Sequence, residues 1–550
     1  MNAERLLALY EQVAEAPDAV PRLRRFVLDL AVRGKLAPQD SGDEPASELL
    51  KRIAAEKARL VKAGEIRKPK ALPPVDEQPF ALPPNWRWVR IREATSDRGQ
   101  RVPDGDFTYI DVTAINKEAG VVAEPNVLAK DEAPSRARKI AAIGDVLYSC
   151  VRPYLLNVAV IDKEFEPAPI ASTAFAVLNG HGLVLPWYLW IALRSPFMVE
   201  CVEENQRGQA YPAINDKDFS LLPFPLPPLA EQRRIVAKVE ELMALLDRLE
   251  VARTAREATR DRLTAASLAR LTAPDTEASE GEPGKVGTGF PSGSATSKDS
   301  FPANAHFVLK TLPALTTRPD QIKPLRQTIL NLAVRGKLVE GADGELATVG
   351  EYRKLQNGYA FKSGWFAKSG MRLLRNANIG HGEIHWDETV YLPEDRVAEF
   401  ERFRLQKGDI VLTLDRPFIV TGTKVARVTE ADLPSLLLQR VGRFVETADG
   451  LADDYLFLWI NSPHFNDQID PGRSNGVPHI SSKQVEAAEI YVPPLAEQNR
   501  IVAKVDALMA LCARLEAALT TADATRARLL EAILHEALEP AARAVKEAAE

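Results

Sequence analysis

Residues 227–250 read PPLAEQRRIVAKVEELMALLDRLE, and residues 493–516 read PPLAEQNRIVAKVDALMALCARLE, with 19 of 24 positions identical. Within this stretch Ile235, Val239, Leu242, Leu246 and Leu249 alternate by four and three, the spacing of an apolar helical seam. The second copy places Ile501, Val505, Leu508, Cys512 and Leu515 there and continues through Leu519, Ala522, Leu529 and Ile533. The preceding Pro-Pro pair suits a helix's first turn, and Glu231 sits near its positive end. Each copy therefore predicts a helix of about 40 residues, roughly 60 Å long. Two ordinary core helices are the plainer alternative; the sustained seam favours a paired rod.

A second repeat accompanies the first. LRRFVLDLAVRGKL (23–36) returns as LRQTILNLAVRGKL (325–338), 10 of 14 positions identical. Leu23, Phe26, Val27 and Leu30 have helical spacing, and Gly34 follows as a C-cap with Arg33 and Lys35 beside it. The order is A, B, A′, B′. The first half is longer by SELLKRIAAEKARLVKAGEIRKPKALPP (47–74), a charged helix followed by a Lys/Pro linker.

The segments between A and B are of another kind. Short β-rich runs such as GDVLYSCV, NVAVI, GDIVLTL and EIYV are broken by Gly, Pro, Asn and Asp. GDVLYSCVRPYLLNVAVI (144–161) and GDIVLTLDRPFIVTGTKVARV (408–428) share an Arg-Pro-aromatic, and LPWYLWIALRSPF (185–197) is similar to DDYLFLWINSPHF (453–465). Each half thus holds one compact domain, alike in fold and divergent in sequence. LPPNWRW (82–88) has no clear counterpart; GELATVGEY (344–352) takes its place. The expected class is α+β: two globular β-rich domains separated by long coiled-coil helices, with an internal pseudo-two-fold repeat.

The doubled PPLAEQ-x-RIVAKV, the doubled LAVRGKL and LPPNWRWVRIRE (82–93) together resemble the specificity subunit of type I restriction-modification systems. The likeness covers nearly the whole chain outside 273–320. It implies that the long coiled-coil helices are antiparallel and hold the heads apart, and it implies the following order. Residues 1–36 are a helical region, 37–85 the charged helix and linker, and 86–226 the first target recognition domain. A central coiled-coil helix spans 227–272 and a flexible linker, rich in Gly, Ser, Pro and Thr, 273–317. The repeated helix spans 318–340, the second recognition domain 341–492, the C-terminal coiled-coil helix 493–541, and a tail 542–550. The resemblance further implies double-stranded DNA as ligand, read as a bipartite asymmetric target. Two modification (methyltransferase) subunits and the restriction (motor-nuclease) subunits are the implied partners. S-adenosylmethionine, ATP and Mg are expected in those partners and no cofactor in this chain.

Composition is compatible with this. Hydrophobic residues make up 45% and charged residues 27%. The richest apolar run, GLVLPWYLWIAL (182–193), is too short to span a membrane. The three cysteines form no C-x-x-C, which fits a cytoplasmic location. Net charge is −6, and residues 86–226 and 345–492 carry −3 and −4, so neither head is a basic patch and the partners are expected to supply much of the phosphate grip. No adenine-methyltransferase loop or Walker loop occurs, and HGEIH (381–385) is not the helical zinc motif. The chain is expected to be non-catalytic. A two-headed coiled-coil scaffold binding proteins is the rival reading; a fused methyltransferase or nuclease is a more distant one.

Base readout needs Arg or Lys for guanine and Asn or Gln for adenine, placed on loops. In the first head the candidates are Arg152, Tyr154 and Asn157 in CVRPYLLN, and Asn205, Arg207, Gln209 and Tyr211 in ENQRGQAYP. In the second they are Asn357, Tyr359 and Lys362 in QNGYAFKSG, Arg375, Asn376 and Asn378 in RNANIG, Arg416, and Arg473, Asn475 and His479 in GRSNGVPH. Glu231, Gln232, Arg234 and Lys238, matched by Glu497, Gln498, Arg500 and Lys504, are the candidate partner-docking residues. Helix capping and i,i+4 pairing explain these eight equally well.

Overall fold

A computed structural model describes residues 15–272, 310 and 315–538, apart from 69–70, 209, 340–342 and 475–476. Most of the expected linker (273–317), the tail at 542–550, Gln209 and Asn475 lie outside them. The chain divides into two compact units. Unit 1 is 1–255 with 523–550, and unit 2 is 256–522.

The repeated motifs form the helices their spacing predicts. The long helices are Leu229–Thr272 and Leu495–Leu538, 44 residues each. The A motifs form helices Ala19–Val32 and Ile322–Val334. Both A helices end alike. Gly34 and Gly336 sit at φ +67, and the next amide reaches back to the carbonyl five residues earlier: Lys35 to Leu30 and Lys337 to Leu332, each 3.0 Å. This is the Schellman closure that AVRGKL encodes.

In unit 1 the A helix has two packing partners. One face joins the core containing Ile235, Val239, Leu246 and Trp86. The other, through Ala19 and Phe26, packs on Leu530, Ile533 and Leu534 from the end of the second long helix. Unit 2 repeats the plan. Ile322 and Ile329 pack with Val505 and Cys512, while Leu332 packs on Leu268 and Leu271 from the end of the first long helix. Each unit therefore holds the start of one long helix and the finish of the other. The seam residues nearest each helix start belong to a globular core as much as to a rod.

Each globular domain opens and closes on one antiparallel ribbon, Arg87–Arg90 with Pro223–Leu226 in unit 1 and Glu345–Thr348 with Glu489–Val492 in unit 2. A four-residue helix follows the first strand both times. GELATVGEY is thus the spatial counterpart of NWRWVRIREA, an equivalence carried by strand pairing with no residue signature. In unit 1 the ribbon is joined by a five-stranded and a four-stranded sheet, and in unit 2 by four- and three-stranded sheets.

The extra segment of the first half departs from expectation. Its helix, Ala46–Lys62, buries Leu49 and Ile53 completely in the unit 1 core. The Lys57 ammonium enters with it, donating to the carbonyls of Arg92, Glu93 and Thr95 at 2.7–2.9 Å. Past it, the carbonyls of Pro73 and Pro74 accept from the Arg90 guanidinium at 3.2 and 2.6 Å. The Phe80 ring meets Trp88 and Phe197 edge-on, 4.9 and 5.1 Å between centroids, under the Arg33 guanidinium. No helix among the described residues is long and apolar enough to cross a membrane.

Candidate nucleic-acid interface

In unit 1 the strand Val146–Ser149 runs out into Cys150, Val151 and Arg152. The Ser149 hydroxyl donates to the Val151 carbonyl at 2.9 Å. Arg152 then turns into the left-handed region, φ 49, just before Pro153. A β-carbon makes that conformation costly, about 1–2 kcal/mol, so it persists only where neighbours impose it. Here the neighbour is the second loop picked from sequence. The Arg152 amide donates to the Pro212 carbonyl at 2.8 Å, and the Ile214 amide to the Cys150 carbonyl at 2.9 Å. Arg207 and Ala213 exchange a reciprocal pair at 2.8 and 2.9 Å, which closes the 207–213 loop on itself. The Arg152 guanidinium lies over the Tyr211 ring, 4.9 Å from its centroid. Tyr211 is 69% exposed and Tyr154 51%. The Arg207 side chain is exposed while touching Asp218 at 3.1 Å. Asn157 is half-buried beside the strand, and the Asn205 amide donates to Cys201 O within its helix.

Unit 2 builds the same corner. Arg416 has φ 48 and is exposed. Its amide donates to the Pro478 carbonyl at 2.8 Å, and the Ile480 amide to Leu414 O at 2.9 Å. His479 Nδ1 pairs with the Asp415 carboxylate at 2.7 Å, and Arg440, itself left-handed at φ 73, reaches His479 at 3.3 Å. Arg473 lies on the short strand Gly472–Ser474, which pairs with Val477–His479.

The remaining second-head candidates divide. Asn357 and Lys362 are exposed, the latter near the Trp365 ring. Asn376 is half-buried, and its carbonyl accepts from Lys424 Nζ at 2.6 Å. The Lys424 amide in turn donates to Pro417 O at 2.7 Å, tying the 376 loop to the Arg416 corner. Burial, then the nearby Arg416 charge, lowers the Lys424 pKa. Arg375 turns toward the Glu388 carbonyl.

Two expectations need correction here. Asn378 is 2% exposed. Its Oδ1 accepts from the Arg375 amide at 3.0 Å and its Nδ2 donates to His385 O at 2.8 Å, so it closes its own turn and lies buried out of reach of a base. The Tyr359 ring packs against Phe361, Phe400 and Phe403, making it part of an aromatic core.

The docking candidates need a larger correction. Gln232 and Gln498 are fully buried. Gln498 accepts from the Ala452 amide at 2.8 Å and donates to Gly450 O and Pro493 O at 2.6 and 2.7 Å. Gln232 does the same with Leu185 N and Pro227 O. The repeated Gln is a latch between the long helix and the domain it follows. Glu231 is also buried, accepting from the Trp86 indole at 2.8 Å, and burial raises its pKa. None of the three can meet a partner. Arg234 is held by Asp43, while Lys238 pairs with Glu241 and Arg500 with Glu497 at i,i+3 spacing. Lys504 is exposed.

Sequence reasoning missed Val151, Asp415, Lys424 and Arg440, which surround the two arginine corners. Only the Arg-Pro dipeptide signalled the site; the partners come from distant strands. Among the described residues no group of three or more His, Cys, Asp or Glu is placed to hold a metal.

The type I restriction modification DNA specificity domain matches residues 94–256 and again 345–522. The chain belongs to this family. It is 33% identical to the EcoAI type I restriction enzyme specificity subunit of Escherichia coli, over 94% of each chain. It is 27% identical to the EcoEI specificity subunit of the same species, again over 94% of each chain. The solved HsdS subunit from Thermoanaerobacter tengcongensis superposes with a TM-score of 0.46 at 26% identity, covering 84% of this chain and 98% of that one.

Proposed function

We propose that this chain is the non-catalytic specificity subunit of a type I restriction-modification complex. It reads a bipartite, asymmetric DNA target with one recognition domain per half and directs adenine methylation and restriction by its partner subunits. The domains are 86–226 and 341–492. The observation that carries the reading is the pair of exposed arginine corners, Arg152 with Tyr211 and Arg416 with His479, on two heads of one family. The complex acts in the cytoplasm, with S-adenosylmethionine, ATP and Mg held by the partners.

Two modification subunits dock on equivalent faces of the long helices. With Glu231, Gln232 and Gln498 excluded by burial, the better face is Ala237, Ala244, Leu245 and Arg248, matched by Ala503, Ala510, Leu511 and Arg514. All eight are exposed and identical between the repeats, Leu245 and Leu511 being 52% and 50% exposed. Steps of seven, eight and eleven place them on one helical stripe. Exposed leucines kept the same in both copies point to one partner bound twice.

Mapping N6-methyladenine genome-wide, with and without this gene, tests the reading. A two-part motif with a fixed spacer should vanish on deletion. Exchanging residues 345–492 for another head should change one half of that motif only. No change in methylation on deletion, with the partners expressed, would favour the protein-binding scaffold.

A further inference from the structure

The two arginine corners correspond position by position. Ser149 and Thr413 each donate a hydroxyl, at 2.9 Å, to the carbonyl two residues on. The Cys150 and Leu414 amides each donate, at 2.8 Å, to the carbonyls of Ala174 and Arg440. Arg152 and Arg416 adopt the same left-handed backbone, tied at the same 2.8 Å to Pro212 and Pro478.

Around this common frame the side chains fall into two sets. The arginine is shared, exposed, and without a carboxylate partner among the described residues. Its flanks are not shared. Val151, Ala174 and Ala213 in unit 1 become Asp415, Arg440 and His479 in unit 2, where the three are joined by hydrogen bonds and an ion pair. One head thus offers an apolar surface with Tyr211 beside it, suited to a thymine methyl. The other offers donors and acceptors suited to polar base edges.

A side chain common to two heads that read different half-sites cannot tell those halves apart. What every half-site has in common is its phosphate chain. Strain kept at one arginine in both heads, while the sequences around it diverged, means that the arginine serves that common feature. We infer that Arg152 and Arg416 are equivalent phosphate clamps, and that the positions flanking them, Val151/Ala174/Ala213 and Asp415/Arg440/His479, set the base preference of each half. This rests on the DNA reading above.

The test uses the full chain assembled with its modification subunits and the mapped target DNA. Arg152→Ala and Arg416→Ala should each flatten the slope of log K against log salt by about 0.9 and leave the methylated motif unchanged. Arg→Lys at either position should restore the slope, which also separates a lost contact from a lost fold. His479→Ala should relax one half of the motif and leave the slope alone. A changed base preference on Arg152→Ala, with the slope intact, would overturn the inference while leaving DNA reading in place. If none of these variants alters slope or motif, the arginine corners are not the DNA face and the inference falls, while the mapped motif keeps the DNA reading.

Discussion

Replacing Gln498 by Ala should open the junction between the second recognition domain and its long helix. The side chain is fully buried and makes three hydrogen bonds of 2.6–2.8 Å. Each contributes about 1 kcal/mol net, and its loss strands the Ala452 amide and two carbonyls away from water. Partial relaxation keeps the total at about 3–5 kcal/mol. A chain of two units does not unfold as one, so the loss is best read locally by hydrogen exchange. Peptides covering the helix Asp453–Ile460 and the strand Glu489–Val492 should lose protection by a factor of about 10²–10⁴. Unit 1 peptides should be unaffected. Gln498→Glu adds a distinct signature. It fits the same space but turns a donor aimed at two carbonyls into an acceptor, so it should be at least as damaging at neutral pH and recover partly in acid. Arg500→Ala, an exposed neighbour, should cost at most about 1 kcal/mol. A fall in protection below about tenfold for Gln498→Ala would refute the latch, and so would equal losses in both units.

Gly34→Ala should destabilise unit 1 by more than the about 1 kcal/mol typical of a left-handed glycine, because a β-carbon there would sit 2.4 Å from Pro83; thermal melting checks this. Gly336→Ala meets the Tyr491 ring at 2.6 Å and should act likewise on unit 2. Burial lowers the Lys57 pKa from its ordinary 10.5 to about 8. Between those values the unfolded chain binds the proton that the folded chain has released. The stability of unit 1 should therefore rise from pH 8 toward 10.5, and Lys57→Met should abolish that rise in urea titrations. Leu245→Asp and Leu511→Asp should each remove one of two docked modification subunits, and together both, with melting unchanged. Mass measurement of the complex distinguishes one from none, and retention of both partners in the double variant would exclude this face.

Much of this was legible in the sequence. The repeat order, both long helices and the glycine closure of the A helices all follow from residue type and spacing, because helix periodicity and a glycine's left-handed turn are local properties. The docking candidates failed for the opposite reason. Glu231, Gln232 and Gln498 look like surface residues on any helical projection, and only packing of the preceding domain over the first helical turn buries them. The repetition of PPLAEQ was real, but its cause is internal. Asn378 and Tyr359 misled similarly: a polar or aromatic residue on a loop serves the loop itself when its partners, such as His385 O and Phe400, arrive from elsewhere in the chain. The convergence of 150–154 with 207–213 depends on strand pairing across some 60 residues, which no local pattern encodes.

The packing of Phe26 on Leu530, Ile533 and Leu534 also sets a timetable. The A helix of unit 1 leaves the ribosome long before the segment that covers its second packing face is made. Residues 256–522 must be synthesised in between, and at about 5–20 residues per second that takes on the order of 10–50 s. For that interval the nascent chain carries an apolar helix face uncovered while the other unit folds. Premature termination between the two segments would leave that face permanently bare, so truncated chains of this kind should be recognisable to chaperones and proteases by the A helix of unit 1, far from the break.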